Sequence, residues 1–240
     1  MYKINISEAE KTLDQYQSIG DFFVRKLKPG VRPIAFTSLV HPADSVISQM
    51  GPLQNGKCVQ AKDRLYSVSD LCQNTKWSAE FSKGFFATYY LCPTDYHRVH
   101  SPVKGVITDI MHIPGHLWPV NQWSTSNIEN LFAVNERVVL RIETELGPCL
   151  LVFVGATNVG KIRLSFDSSI LTNTKPWQNE PVLHKTLNPT LSIEKGDELG
   201  MFHMGSTVVM IYSSQVTSLF EKSLASGKKS EDLGLGQSVK

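Results

Sequence analysis

The chain has 240 residues, enough for one large domain or two small ones and for a sizeable core. Hydrophobic residues at 41% and charged residues at 19% are the proportions of a folded globular chain and exclude disorder. A formal net charge of +2 is too near neutral to imply nucleic-acid binding.

In chain order, Ser7 followed by Glu10 reads as a capping box opening a short helix. Asp21 reads as the cap of a second helix through Phe22, Phe23 and Leu27, stopped by Pro29 and Gly30. Asp44 stands just before a short apolar strand, where an aspartate also suits a turn. A third short helix is predicted over 128–133. Val138, Leu140 and Ile142 then alternate with Val139, Arg141 and Glu143, the period of a half-buried strand. After the Gly147-Pro148 turn, Cys149–Val154 is continuously apolar, as a strand buried on both faces requires. Ile162, Leu164 and Phe166 alternate again, and Val208–Tyr212 is a last apolar run. From Ser223 the tail is rich in Ser, Gly and Lys and is expected to be loosely ordered. These short strands, punctuated by Gly and Pro, predict a mostly β fold with a few short helices. We expect a single compact domain, barrel-like or sandwich-like.

Cys58, Cys72, Cys92 and Cys149 form no CxxC pair and are read as free thiols in a reducing compartment. No apolar stretch approaches a membrane-spanning length, and the polar start MYKINISEAEK lacks the apolar centre of a signal peptide. The expectation is a cytosolic protein or one that lies on a membrane surface.

Three segments carry groups capable of chemistry. Met204-Gly205-Ser206-Thr207 precedes the last apolar run and reads locally as a turn entering a strand. Asp95-Tyr96-His97-Arg98-Val99-His100 places an aspartate and two histidines within six residues. On a strand those histidines fall on opposite faces. The cluster suits a metal site of Asp95, His97 and His100, a general base and acid, or a surface loop. The third segment is His41-Pro42-Ala43-Asp44-Ser45, with its turn aspartate.

Together these segments resemble the phosphatidylserine decarboxylase family, from about Phe22 to Tyr212. The resemblance is carried by FFVRKLKPGVRPI at 22–34, PADSVISQ at 42–49, DYHRVHSPVKGVI at 95–107 and Pro114-Gly115. It continues through NLFAVNERVV at 130–139, VGATNVGKI at 154–162 and KGDELGMFHMGSTVV at 195–209. Two departures stand out. Met204 replaces the leucine usual at the cleavage site, a volume-conserving swap. The family also usually carries further N-terminal sequence with apolar helices that seat it on the membrane, whereas this chain opens shortly before the FFVRKL motif.

The resemblance implies a pyruvoyl-dependent lyase that makes its cofactor from Ser206 and uses no metal. Self-cleavage between Gly205 and Ser206 would give a β chain of 1–205 and an α chain of 206–240, paired as a heterodimer, with a homodimer of such pairs also implied. Asp44, His100 and Ser206 would form the cleavage triad, with His100 as base and Asp44 orienting it. Ser206, once pyruvoyl, would be the Schiff-base centre for phosphatidylserine, and His97 the acid in the decarboxylation. Asp95 would support the loop. Gly155 and Gly160 allow close backbone approach, either to the substrate or in dense strand packing. The substrate would lie in a bilayer, placing the enzyme on the cytoplasmic face of a bacterial inner membrane. The competing readings are a serine hydrolase built on Ser206, His100 and Asp44, though without a GxSxG elbow, and a non-catalytic β module that binds lipid head groups.

Overall fold

In the computed structural model the described residues are 4–61, 64–157, 161–170, 172–173, 180–203 and 206–216. The predicted tail, Gly160 and Gly205 lie outside them, as does the side chain of Ser206.

The centre of the molecule is a seven-stranded sheet, antiparallel throughout. Its strands are β1 (Val46–Pro52), β4 (Phe85–Leu91), β6 (Gly105–Ile113), β7 (Arg137–Glu143), β8 (Cys149–Val154), β10 (Leu183–Ile193) and β12 (Ser206–Tyr212). They lie in the order β1-β4-β12-β8-β7-β6-β10. Strand β8 has the predicted bounds and is buried at every position. Beside it in β12, Val208, Val209, Met210 and Ile211 are all fully buried, so both faces of the sheet are covered here. That is why these strands read as unbroken apolar runs rather than alternating ones. The sheet is open at β1 and β10, so among the described residues there is no closed barrel.

A three-stranded sheet joins β5 (Arg98–His100), β11 (Glu198–Phe202) and β9 (Ile162–Leu164) in the order β5-β11-β9. It packs on the large sheet through Phe202 against Phe153, ring centroids 5.3 Å apart. A Cβ at Gly200 would lie 3.2 Å from the Phe153 ring, so glycine makes room for that contact. A hairpin of β2 (Lys57–Ala61) and β3 (Arg64–Ser67) leads into α2 (Val68–Cys72) and α3 (Thr75–Glu80). The buried Arg137 guanidinium donates to Leu71 O, Asp70 O and Asn135 O, tying α2 to the sheet.

Several local expectations are corrected. The first turn is a 3-10 helix at Ile6–Glu8 with Asn5 before it, so Ser7 and Glu10 form no capping box around a helix. After a second 3-10 helix at Leu13–Gln15, α1 (Ile19–Phe23) starts earlier than predicted because Ser18 is its cap, its hydroxyl accepting from the Asp21 backbone N–H. The helix predicted over 128–133 is the shorter α5 (Leu131–Val134), and an unpredicted α4 (Gln122–Asn127) ends just before it. The Gln60 side chain explains the break, since it caps both pieces by donating to Thr125 O and Ile128 O and accepting from Leu131 N. Helices α2 and α3 were not predicted; at 5 and 6 residues they are too short to show a period. All four cysteines are free thiols.

Candidate active site

The sheet register gathers the candidate residues at one end of the large sheet. Ser206 opens β12 opposite Leu91, the last residue of β4, and Thr207 lies between Tyr90 and Val154. Strand β4 then runs into the 92–97 loop, where Asp95 and His97 sit. Strand β1 begins with Val46 opposite Tyr90, which puts Asp44 two residues beyond that same end. Gly155 follows the end of β8 there. Strand β5 is brought in by two backbone bonds, His100 N to Pro42 O at 2.7 Å and Phe202 N to His97 O at 3.0 Å.

His100 and Asp44 share one cavity of about 290 Å³, together with Arg32, His41, Tyr96 and Gly196. They do not hydrogen-bond to each other. His100 Nδ1 lies 2.8 Å from Gly196 O, a carbonyl that can only accept, so Nδ1 carries the proton. Nε2 lies 3.1 Å from the Tyr96 hydroxyl, which donates to it when that nitrogen holds the lone pair a base requires, and the two rings are stacked at 5.7 Å. Burial pushes the Tyr96 phenol above its ordinary range, which keeps it a donor. The Asp44 carboxylate, its side chain 13% exposed, is instead held by Arg32, whose Nε is 3.0 Å from each oxygen. Arg32 also reaches Glu8 Oε2 at 2.9 Å, and its hydrogen bond with Asp44 raises an already basic guanidinium.

His97 has a different environment. It is fully buried, with its ring centroid 4.0 Å from that of Phe23. Nδ1 donates to Asp95 O at 2.9 Å, and Nε2 has no hydrogen-bond partner among the described residues. Burial lowers its pKa to about 4, so at neutral pH Nε2 is an unpaired acceptor. An unpaired buried polar atom costs free energy, which a ligand, a reactant or an ordered water recovers. Asp95 turns this loop: its Oδ2 accepts from Cys92 N at 2.9 Å, and Arg25 Nη2 donates to both Thr94 O and Asp95 O at 3.2 Å. Asp95, His97 and His100 thus point to separate surroundings, and the described residues contain no cluster able to hold a metal. At Gly155 a Cβ would sit 3.1 Å from both Glu136 O and Leu117, and Asn135 Nδ2 donates to the Gly155 carbonyl at 2.9 Å. These contacts match the dense-packing reading.

A second cavity, of about 460 Å³, opens beside the first residues of β12. It is lined by Thr207 and Tyr90, by polar Ser48, Gln49 and Gln60, and by apolar Val46 and Phe132.

Sequence reasoning missed Arg32, Tyr96, His41 and Gly196. The signal for Tyr96 was present, as an aromatic inside the histidine cluster. His41 gave a weaker one beside Asp44; burial lowers its pKa to about 4, and it lies 3.3 Å from the Tyr89 hydroxyl. Arg32 and Gly196 gave none, because their roles depend on contacts between distant segments.

Comparison with known proteins shows which family the sequence resembles. The profile of the family described as phosphatidylserine decarboxylase matches residues 19–239. A phosphatidylserine decarboxylase proenzyme of Shewanella sp. strain MR-4 is 42% identical over 228 residues, covering 91% of this chain and 76% of the relative. The proenzyme of Shewanella sp. strain W3-18-1 is 42% identical over 231 residues, 91% and 77% of the two chains. That of Shewanella baltica strain OS155 is 41% identical over 228 residues, 91% and 76% of the two chains.

Proposed function

Because the chain belongs to the phosphatidylserine decarboxylase family, we propose that it cuts itself between Gly205 and Ser206 and then converts phosphatidylserine to phosphatidylethanolamine and CO2. The observation that carries the reading is the pair of imidazoles held in contrasting surroundings at one end of the sheet. One is aimed into the Asp44 cavity, and the other is sealed with an unpaired Nε2.

In the cleavage, His100 Nε2 takes the hydroxyl proton of Ser206 once the Tyr96 hydroxyl moves aside. Gly196 O fixes the required tautomer. The Ser206 oxygen attacks the Gly205 carbonyl carbon, and the peptide C–N bond breaks to leave an ester and a free amine. Loss of the Cα proton of residue 206 breaks the Cβ–O bond. Gly205 leaves as a carboxylate and residue 206 becomes dehydroalanine. Water then replaces its nitrogen, releasing ammonia. Asp44, fixed by Arg32 in the same cavity as His100, is the carboxylate member of this set.

His97 Nε2, a buried acceptor that no described protein group satisfies, suits the ammonium of a substrate brought to the resulting pyruvoyl group, whose own carbonyl oxygens only accept. When present, that group supplies the electron sink that amino-acid side chains lack. Substrate brings an ammonium that must lose a proton before its nitrogen can react. His97 Nε2, neutral at pH 7, takes that proton and returns it to Cα after CO2 leaves. In this reading the enzyme works on a bilayer surface, the cytoplasmic face of a bacterial inner membrane, as paired 1–205 and 206–240 chains.

Denaturing gels, intact mass and CO2 release test the assignment. Wild type should give two pieces with a blocked α-chain N-terminus. His100→Ala should stay uncut. His97→Ala should cut, at least in part, but decarboxylate about 10²–10⁴-fold more slowly. A wild-type chain that stays whole and releases no CO2 would sink the reading, and an uncut His97→Ala beside a normally cut His100→Ala would reverse the two roles.

A further inference from the structure

We infer that the Ile34–Phe36 tip is a bilayer-inserting element built on the same turn that holds His100. Phe36 is 110% exposed relative to an extended chain, an unusual position for a large apolar ring, and Ile34 beside it is 45% exposed. The tip is built rather than loose. The Lys195 ammonium donates to Ala35 O at 2.7 Å and to Thr37 O, the two carbonyls on either side of Phe36. The next residue, Gly196, has φ +92, and a Cβ there would lie 2.8 Å from Ile34 Cδ1. Gly196 O in turn accepts from His100 Nδ1. One turn therefore grips the exposed tip with residue 195 and the candidate base with residue 196.

The occupant is an anionic phospholipid bilayer. Ile34, Leu27 and Pro33 form an apolar wall of the cavity that holds Asp44 and His100, so the tip stands at the site's own mouth. The exposed Lys28 lines the same mouth. The carboxylate of Asp44 in the cavity is already paired with Arg32. The mouth thus offers lipid an apolar edge and one ammonium for an anionic head group. This inference rests on the lipid substrate of the proposed function and adds the element that reaches it.

The test measures vesicle binding, self-cleavage and turnover separately on the cleaved wild-type protein and on Phe36→Ser. Vesicles are phosphatidylserine with phosphatidylcholine, or phosphatidylcholine alone. Phe36→Ser should cleave normally and act normally on a short-chain, monomeric phosphatidylserine. Its partition onto the anionic vesicles should fall about 10- to 100-fold, the scale of withdrawing one Phe side chain from an apolar phase. Phe36→Trp should gain an emission component quenched by lipid-borne nitroxide. Unchanged partition of Phe36→Ser, or a Phe36→Trp protein whose added emission escapes quenching, overturns the inference. So does loss of binding on changing the exposed Trp123 of α4 (68% exposed) to Ser while Phe36→Ser still binds. Failure of wild type to turn over the monomeric lipid counts against the proposed function instead, and the quenching result still decides the tip.

Discussion

The Tyr96 hydroxyl sits on the lone pair that His100 must use to deprotonate Ser206, so Tyr96→Phe should speed self-cleavage. The structure bounds the size of the effect. The hydrogen bond is 3.1 Å long, at the weak end of the range, and must break before the base is free. Such a bond is worth about 1 kcal/mol net. At about 1.36 kcal/mol per tenfold in rate, its removal should accelerate cleavage about fivefold. Phenylalanine keeps the ring that stacks on His100 at 5.7 Å, and Gly196 O still fixes the other nitrogen, so the imidazole stays oriented. The folded state should lose about 1 kcal/mol. The assay is a time course of precursor loss on denaturing gels after cell-free synthesis, beside a urea titration of uncut protein in a Ser206→Ala background. An unchanged rate would show that Tyr96 does not gate the base. A rate lowered tenfold or more would show that its hydroxyl relays the proton.

Two further outcomes follow from the same contacts. Burial holds His97 at about 4 against an ordinary 6.5, so between those values the unfolded chain binds a proton that the folded chain refuses. Stability should be full above pH 6.5 and fall as pH drops towards 4, by on the order of 3 kcal/mol at about 1.36 kcal/mol per pH unit. His41, also lowered to about 4, acts in the same direction. Urea midpoints measured from about pH 7.5 to 4.5 check this, and a flat profile between about pH 7 and 5 would contradict it. Gly196→Ala forces a side chain into φ +92 and against Ile34. It should cost about 1–3 kcal/mol and slow self-cleavage by moving the Gly196 carbonyl off His100, seen as a lower melting temperature together with persistent precursor.

The sequence by itself settled what depends on local pattern and on ordered motifs. Cys149–Val154 announced a strand covered on both faces, because six successive apolar side chains have no solvent side to avoid. The motifs from Phe22 to Val209 announced the family, since their order along the chain survives without knowledge of the fold. The limits of short helices escaped prediction where one side chain set them, as with Ser18 at α1 and Gln60 between α4 and α5. Only the tertiary structure decided how the site is wired. Asp44 faces Arg32, 12 positions away, and His100 faces Gly196, 96 positions away. Two histidines three residues apart diverged, His100 into a cavity at the end of β5 and His97 against Phe23 from the loop before that strand, because the packing around each differs. Pairings of that range are fixed by sheet register and by the close approach that Gly196 permits, and neither leaves a trace in the residues flanking either partner.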